Sequence, residues 1–383
     1  MNTTTTTLEK RPIHMVDVLG QYKRYQQEID NAILGVVRSG AYINGPAVKR
    51  FEREMAEYLQ VPHAIACASG TDALQIALMA LGVKPGDEII TTPFTFVATT
   101  ETIALLGAKP VYVDIDPKTF NIDPEKITER ITPRTKAILP VHLFGQPCDI
   151  TRIKEIADAH HLYLIEDAAQ VVGATWKGKK ACGFGDIASI SFYPSKNLGA
   201  FGDGGMMTAF DDEIAERLRS IANHGASRTY YHDRLGVNSR LDSVQAAILS
   251  VKLQYLDEWN VRRREIAAIY SDHFSLHADL IQTPYVDPHA VPIWHQYSIM
   301  LKSNRDLVMA SLKAAGIPTN IYYPVPLHLQ PAYQSYGGKK GDYPLSEYAC
   351  EHILSLPMHS EMTDDDAAYI AENVIHHIRN RNQ

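Results

Sequence analysis

Cysteine is scarce in this chain, and the four thiols are scattered at positions 67, 148, 182 and 350 of 383 residues. No Cys-x-x-Cys pair is present, so we expect no zinc site and no disulfide, only reduced and mostly buried thiols. The chain also lacks an apolar run of 18 residues and the apolar core of a signal peptide. These absences predict a cytoplasmic protein without a membrane span, whose residues 1–12 form a flexible tail.

Positive charge is also limited, with 37 Lys and Arg against 44 Asp and Glu and a formal net charge of −7. No block of consecutive basic residues is present, which argues against nucleic acid or an anionic membrane as partners. Hydrophobic residues make up 45% of the chain. A chain of this length and composition buries a large core and suits one large domain followed by a smaller one.

Short apolar runs alternate with helical patterns through the first 200 residues. Strands are predicted from Ile65, at Asp87–Pro93, Pro110–Asp114, Lys136–His142, Leu162–Ile165 and Ile187–Phe192, with a helix over Ile150–His160 among the helical stretches between them. Unbroken apolar strands separated by helices are typical of a mostly parallel sheet that is covered on both faces. The fold class predicted for residues 13–250 is therefore α/β.

The pattern changes after about residue 250. A long helical stretch covers Leu241–His273, followed by a predicted strand at Ile293–Met300 and helices at Arg305–Ala315 and Ala367–Ile378. This arrangement favours a smaller α+β domain that spans residues 251–383.

Lys196 and Asp167 form the most informative pair in the sequence. Asp167 ends an apolar run, and Lys196 follows it in the loop Ser-Phe-Tyr-Pro-Ser-Lys-Asn-Leu-Gly. Taken alone, Asp167 is a candidate helix cap and Lys196 a surface lysine. Together they match a pyridoxal phosphate enzyme, in which the lysine amine bonds to the cofactor and later moves protons. The carboxylate keeps the pyridine nitrogen protonated.

Other residues extend this candidate site. Gly70 and Thr71 follow Ser69 at a helix start, where exposed N–H groups favour a phosphate, although an ordinary helix cap gives the same pattern. Ser191 is a second phosphate donor. Phe96 either stacks on the pyridine ring or belongs to the core, and Gln170 either contacts the cofactor's phenolic oxygen or lies on a helix surface.

Two polar loops remain ambiguous from spacing alone. One contains Asn238 and Arg240, and the other is the Pro-rich aromatic stretch with Tyr322, Tyr323 and His328. A solvated loop and a rigid connector explain them as well as a substrate-binding role does.

Several ordered motifs give the chain a family resemblance. They include Ala-Tyr-Ile-Asn-Gly-Pro (41–46), Ser-Gly-Thr-Asp-Ala-Leu (69–74), Pro-Phe-Thr-Phe-Val-Ala-Thr (93–99), Glu-Asp-Ala-Ala-Gln (166–170), Ser-Phe-Tyr-Pro-Ser-Lys (191–196), Gly-Asp-Gly-Gly (202–205), Asn-His-Gly (223–225), Gly-Val-Asn-Ser-Arg-Leu-Asp (236–242) and Tyr-Tyr-Pro-Val-Pro-Leu-His (322–328). From about Val16 to Met358 the chain resembles the DegT/DnrJ/EryC1/StrS family of aminotransferases that act on nucleotide-linked keto sugars. The resemblance implies a fold-type I enzyme with a mostly parallel seven-stranded sheet and a smaller C-terminal domain.

The resemblance also implies roles for individual residues. Lys196 and Asp167 correspond to the cofactor lysine and the partner of the pyridinium nitrogen. The remaining implied cofactor contacts are Gly70, Thr71, Phe96, Gln170 and Ser191, with Asn238 reaching the phosphate across a homodimer interface, and the implied substrate contacts are Arg240, Tyr322, Tyr323 and His328. The implied cofactor is pyridoxal 5′-phosphate, with pyridoxamine 5′-phosphate as its amino form, and no metal is implied.

Within the family, the chain is most similar to enzymes that aminate C3 of UDP-2-acetamido-2-deoxy-3-oxo-glucuronate with glutamate for O-antigen assembly of lipopolysaccharide. Arg228, Arg234 and Arg240 are candidate partners of the uronate carboxylate. A dTDP-3-oxo-6-deoxyhexose 3-aminotransferase is the near alternative, and a non-catalytic regulator is a remote one. Related sugar 3-dehydratases carry His in place of the lysine, so Lys196 argues against that activity.

Overall fold

The computed structural model describes residues 12–379, so most of the predicted tail 1–12 lies outside the described residues. The helices are α1 Val18–Arg24, α2 Gln26–Ser39, α3 Pro46–Leu59, α4 Gly70–Ala80, α5 Val97–Leu105, α6 Ile150–Ala159, α7 Asp212–Ala222, α8 Ser243–Leu253, α9 Leu256–Ser275, α10 Arg305–Ala314, α11 Pro344–His352 and α12 Asp364–Arg379. The strands are β1 His63–Cys67, β2 Glu88–Thr91, β3 Lys109–Tyr112, β4 Thr135–Ile138, β5 Tyr163–Asp167, β6 Thr175–Trp176, β7 Lys179–Lys180, β8 Ile187–Ser191, β9 Gly205–Ala209, β10 Ala226–Arg228, β11 Tyr231–His232, β12 Ile281–Gln282, β13 Ala290–Val291, β14 Tyr297–Leu301 and β15 Ile353–Leu356.

A seven-stranded sheet with the order β1-β9-β8-β5-β4-β2-β3 forms the centre of the molecule. All its strands run parallel except β9, which pairs antiparallel with both β8 and β1. The predicted α/β class with a mostly parallel sheet is confirmed, and each predicted strand of this region is present, with its ends shifted by up to a few residues.

Helices cover both faces of this sheet, because its strands are apolar on both sides. On one face α2, α3 and α8 pack around Phe51, Phe192 and Trp259, all of which are almost fully buried. On the other face α4, α5 and α7 pack against side chains such as Ile165 and Met207. Because the helices cover the two faces of the sheet, the carboxyl ends of its strands are accessible at one edge, which is where ligands bind in such sheets.

The predicted helix at Leu241–His273 was wrong in one respect, because the chain forms two helices, α8 and α9, separated at Gln254 and Tyr255. The Tyr255 ring packs on Tyr25 with their centroids 4.0 Å apart, and its hydroxyl donates to Glu28. These tertiary contacts favour a turn where the sequence pattern alone continues as a helix.

The predicted strand at Ile293–Met300 was also wrong at its start, because β14 begins at Tyr297. Trp294 has a positive φ of 49°, which interrupts the extended backbone. The Ile293 amide instead donates to Gly145 in the large sheet's loop region. As a result, the segment before β14 turns toward the strand ends of the central sheet.

The C-terminal part of the chain builds a separate core. The antiparallel sheet β12-β14-β15 packs with α9, α10 and α12 around Tyr270, Phe274 and Tyr297. Asp114, which follows β3, accepts hydrogen bonds from the Leu345 and Ser346 amides and so caps α11. The division at residue 251 stays a prediction. Between residues 12 and 379, no helix combines the length and apolar character that a membrane span requires.

Candidate active site

A cavity of about 590 Å³ opens where the carboxyl ends of β5 and β8 face the segment before β14. Its lining includes nine of the candidate residues singled out in the sequence, namely Gly70, Thr71, Phe96, Asp167, Gln170, Ser191, Lys196, Tyr322 and Tyr323. Residues more than 250 positions apart in the chain thus meet in one cavity.

Lys196 lies in the loop that follows β8. The loop is closed by hydrogen bonds from the Lys196 amide to Tyr193 and from the Ala200 amide to Phe192. Burial lowers the pKa of the Lys196 amine to about 8, although the nearby carboxylate of Asp167 acts in the opposite direction. A lysine with such a pKa is partly uncharged near neutral pH, which a nucleophile or a base requires.

Asp167 is the last residue of β5 and is 5% exposed. One carboxylate oxygen accepts a hydrogen bond of 2.8 Å from the Thr99 hydroxyl, and the other accepts one of 3.2 Å from the Ala169 amide. Burial still raises the pKa of Asp167 above its ordinary value, since these bonds and the charge of Lys196 offset only part of the desolvation. A cationic group in the cavity would therefore stabilise this carboxylate.

Glu166, the neighbour of Asp167, points to the opposite side of β5 and anchors the strand. It accepts hydrogen bonds from the Cys182, Phe184 and Gly185 amides. His142 receives the Cys148 amide at Nδ1 and therefore donates to Glu166 from Nε2, over 3.0 Å. Burial alone raises the pKa of Glu166, but these donors hold it below its ordinary value. The end of β5, and with it Asp167, is thus rigidly placed.

A candidate phosphate cradle lies at the start of α4. Ser69 caps this helix through a hydrogen bond from the Asp72 amide, and the first amides of a helix have no acceptor within it. A Cβ atom at Gly70 would lie 2.7 Å from the Ser191 Cβ atom, so only glycine lets the helix approach this serine so closely. Amides, a helix dipole and the Ser191 hydroxyl converge on one part of the cavity.

Aromatic side chains form another part of the cavity wall. Phe96 is 55% exposed, and its ring centroid lies 6.3 Å from that of Tyr323. The Gln170 side chain accepts a hydrogen bond from the Phe144 amide and donates one of 3.2 Å to the Tyr323 hydroxyl. Gln170 is therefore fixed at the cavity wall, and does not lie on a helix surface.

Three candidates from the sequence lie elsewhere in this chain. Asn238 is exposed and pairs in a short bridge with Asn223. Arg240 lies beside His224, with 3.3 Å between Nη2 and the imidazole Nε2. His328 is buried, bonds to Glu347 over 3.0 Å, and packs on Tyr343 outside the cavity lining.

Sequence reasoning missed two residues of the site. Thr99, which lies behind the cavity lining, is part of the quoted motif Pro-Phe-Thr-Phe-Val-Ala-Thr, but its spacing does not reveal its bond to Asp167. His295 lines the cavity, although the pattern placed it inside a strand. For Thr99, a threonine on the sheet-facing side of a helix was a usable signal. For His295, nothing in the local pattern indicated a position in the cavity.

These residues fit pyridoxal phosphate. The cavity offers a phosphate cradle at Gly70, Thr71 and Ser191, a half-buried lysine amine at Lys196, and a buried carboxylate at Asp167 that lacks a full countercharge. This donor set matches the phosphate, the aldehyde and the pyridine nitrogen of that cofactor.

Comparisons with known proteins agree with this interpretation. Residues 23–375 match the model of the DegT/DnrJ/EryC1/StrS aminotransferase family. A UDP-2-acetamido-2-deoxy-3-oxo-D-glucuronate aminotransferase from Pseudomonas aeruginosa is 49% identical over 347 residues, covering 91% of this chain and 95% of the relative. A pleiotropic regulatory protein from Geobacillus stearothermophilus is 48% identical, with 94% and 97% covered. A dTDP-3-amino-3,4,6-trideoxy-alpha-D-glucose transaminase from Streptomyces venezuelae is 41% identical, with 94% and 95% covered.

Solved structures show the same fold with the cofactor. DesV from S. venezuelae superimposes with a TM-score of 0.93 at 40% identity, covering 95% of this chain and 98% of that one. NtdA from Bacillus subtilis, solved with bound PMP, superimposes with a TM-score of 0.86 at 34% identity, covering 93% and 82%. The chain belongs to the DegT/DnrJ/EryC1/StrS family and is a pyridoxal phosphate-dependent sugar aminotransferase.

Proposed function

We propose that this enzyme transfers the amino group of L-glutamate to C3 of UDP-2-acetamido-2-deoxy-3-oxo-D-glucuronate. The observation that carries the proposal is the 49% identity, over nearly the whole of both chains, with the P. aeruginosa aminotransferase of that name. The product serves a bacterial surface polysaccharide such as O-antigen. The enzyme acts in the cytoplasm, since its four cysteines are buried and unpaired, as is usual in a reducing compartment.

Lys196 and Asp167 carry the chemistry in this proposal. The bound cofactor supplies a ring that accepts the electron pair left when a proton leaves the carbon next to the transferred nitrogen. Lys196 removes the proton from Cα of glutamate and later delivers one to C3 of the sugar. Asp167 would pair with the protonated ring nitrogen, and Gly70, Thr71 and Ser191 would hold the phosphate. Phe96 would stack on the ring face, and Gln170 would bind the phenolic oxygen.

Recognition of the uronate carboxylate is assigned to arginine side chains near residue 240. The Arg240 Nε and Arg234 Nη1 atoms are buried, and neither has a hydrogen-bond partner among the described residues. A guanidinium donor that lacks an acceptor favours a carboxylate, which it binds with paired hydrogen bonds. The proposed contacts of the rest of the substrate molecule are Tyr322, Tyr323 and His328. Of these, His328 does not line the cavity of its own chain.

A homodimer completes this proposal. Asn238 and Arg240 do not line the cavity of their own chain, and large apolar side chains are exposed near them. These are Tyr42, Ile43, Tyr230, Tyr231 and Leu235, each at least 51% exposed. An exposed apolar surface of this kind favours association with a second copy. In the dimer, Asn238 would reach the phosphate and Arg240 the substrate in the partner's cavity.

A single-turnover experiment tests the substrate. The enzyme is loaded with pyridoxamine phosphate and mixed with one keto sugar at a time, while the absorbance of the pyridoxal form is followed. We expect rapid return of that absorbance with UDP-2-acetamido-2-deoxy-3-oxo-D-glucuronate, and none in the Lys196→Ala variant. A slow return with this sugar and a fast return with a dTDP-3-oxo-6-deoxyhexose would refute the proposed substrate.

The second candidate is that dTDP-3-oxo-6-deoxyhexose, which is supported by the 41% identity with the S. venezuelae transaminase. A regulatory role is the remote alternative, and the name of the G. stearothermophilus relative refers to such a role. Cofactor binding without turnover of any keto sugar would favour the regulator. The intact set of Lys196, Asp167 and phosphate cradle favours catalysis.

A further inference from the structure

Ser239 lies between Asn238 and Arg240 and is the most deeply buried of the three. It is 1% exposed, whereas Asn238 is exposed and Arg240 is half-buried. The Ser239 amide donates to the Ala222 carbonyl over 3.0 Å, at the end of α7, and Asn238 pairs in a bridge with Asn223. Ser239 is therefore the point at which this segment attaches to the interior of its own chain.

The Ser239 hydroxyl has two partners, and both lie at the start of α4. It donates to one carboxylate oxygen of Asp72 over 2.6 Å and accepts from the Ala68 amide over 3.0 Å. A carboxylate only accepts and an amide N–H only donates, so the hydroxyl proton must point to Asp72. Ala68 follows β1 and Asp72 lies in the first turn of α4, so the two bonds hold the segment against the turn between these elements.

Asp72 extends this contact to the residue that caps α4. Its second carboxylate oxygen accepts a hydrogen bond of 3.1 Å from the Ser69 hydroxyl, and its amide donates one of 3.1 Å to the same Ser69 oxygen. Among residues 12–379, no cationic side chain pairs with Asp72, so the hydroxyls of Ser69 and Ser239 are its side-chain partners. Hydrogen bonds to an ionised carboxylate are stronger than those between neutral groups. The series Ser239–Asp72–Ser69 thus connects the segment to the start of the candidate phosphate cradle.

Ser239 does not line the cavity of its own chain, and neither do Asn238 and Arg240. In the proposed homodimer, Asn238 reaches the phosphate and Arg240 the substrate in the partner's cavity. The hydrogen bonds that set the position of this segment are nevertheless formed within its own chain, with the turn that begins its own phosphate cradle. The start of α4 would therefore bind one phosphate through its amides and also support the segment that enters the other cavity.

We propose that Ser239 is a positioning residue that acts across the dimer: its hydrogen bonds to Asp72 and Ala68 in one chain set how Asn238 and Arg240 reach into the cavity of the other. This inference rests on the proposed homodimer and on the proposed roles of Asn238 and Arg240. Without the hydroxyl the segment keeps its backbone bonds but loses its side-chain attachment, so both neighbours shift relative to the sugar. A displacement of about 1 Å at such contacts costs up to about 100-fold in rate.

Hybrid dimers of two differently tagged full-length chains, loaded with cofactor, test this direction of action. In the first hybrid, one chain carries Lys196→Ala and the other Ser239→Ala, so the remaining lysine receives an intact segment from its partner chain. In the second hybrid, one chain carries both substitutions and the other is wild type, so the remaining lysine receives the altered segment. Relative to a hybrid of wild type and Lys196→Ala, we expect the KM for the accepted keto sugar to rise about tenfold in the second hybrid and to stay unchanged in the first.

The difference in KM between the two hybrids separates positioning from a structural role. Each hybrid contains one altered segment, so a merely structural role of Ser239 would lower the rate in both alike. Equal KM values in the two hybrids, or an increase confined to the first, would overturn the proposal. Ser250→Ala is the matched control, because it removes a buried hydroxyl that has no hydrogen-bond partner among the described residues, and it should leave both hybrids unchanged.

Asp72→Asn, placed in the same hybrids, keeps the test independent of how well Ser239→Ala folds. Its single amide oxygen cannot serve both serine hydroxyls as the carboxylate does, so the KM for the sugar should again rise more in the second hybrid. Equal KM values for Asp72→Asn in the two hybrids would count against the proposal.

Arg240→Gln in the same hybrids separates this inference from the proposed function. If Arg240→Gln does not raise the KM in the second hybrid, or if no dimer carrying both tags is recovered, the proposed dimer is wrong and this inference fails with it. If Arg240→Gln acts across the dimer but neither Ser239→Ala nor Asp72→Asn does, the proposed function stands and only this inference is refuted.

Discussion

The cavity around Lys196 and the surface segment 223–240 differ in how completely a single chain builds them. In the cavity, Asp167 and Gln170 are buried and hydrogen-bonded to side chains or amides of the same chain. In the segment, Asn238 is exposed, and Arg240 keeps a buried guanidinium nitrogen without a partner among the described residues. The comparison suggests that the chemistry shared by the family is built in a rigid interior, whereas substrate choice depends on loops.

Lys196→Ala is expected to produce the largest effect, because the cavity then lacks its only proposed proton carrier. Single turnover with any keto sugar should slow by at least about 10³-fold. Stopped-flow absorbance of the pyridoxamine-loaded protein measures this. Added methylamine should recover part of the rate if the amine acts as a base, and a variant that stays within tenfold of the wild type contradicts the proposed role.

Asp167→Asn removes the negative charge while keeping the shape of the side chain. We expect a rate loss of about 10²-fold or more, since the pyridine nitrogen then lacks its carboxylate partner. The midpoint of Lys196 ionisation should fall below about 8, because the Asp167 carboxylate raises the pKa of that amine. Thr99→Val is the matched control, since it removes one hydrogen bond to Asp167 but keeps the charge, and its loss should be much smaller.

Arg240→Gln tests the surface segment. The KM for the uronate sugar should rise by roughly 10–100-fold, since the carboxylate loses a charged, two-pronged donor. The KM for glutamate and the rate of its half-reaction should change far less. Arg152→Gln, an exposed arginine paired with Glu125, serves as the control. An equal loss with a neutral keto sugar would show that Arg240 does not recognise the carboxylate.

The dependence of the rate on pH sharpens the description of the cavity. Lys196 must be uncharged to remove a proton, and burial lowers the pKa of its amine to about 8. The single-turnover rate should therefore rise about tenfold per pH unit below 7 and level off above about 8. A rate that continues to rise toward pH 10 would indicate a lysine with an ordinary pKa.

Gly70→Ala is expected to give the smallest change. The added Cβ atom would lie 2.7 Å from the Ser191 Cβ atom, so the helix start must shift away from the phosphate cradle. Cofactor affinity, measured by equilibrium dialysis, should fall by about tenfold or less. Gly35→Ala in α2 has no atom within 4 Å of the new Cβ and should leave that affinity unchanged.

The site residues that could be predicted from the sequence are those that belong to a short, recognisable sequence pattern. The apolar strand that ends at Asp167 and the Gly-rich loop of Lys196 follow from short patterns, and the structure places both in one cavity. The break between α8 and α9 and the late start of β14 were not predictable, because both depend on contacts with distant segments, such as that of Tyr255 with Tyr25.

The sequence by itself determined the α/β class, the family and the lysine–aspartate pair, because hydrophobic periodicity and short motifs are local properties of a chain. Only the tertiary structure decided which side chains surround that pair. Thr99 bonds to Asp167, 68 positions away, and His295 lines the same cavity as Lys196 after a turn that no local pattern predicts. Hydrogen bonds between distant residues depend on how layers pack, and packing is a property of the whole fold.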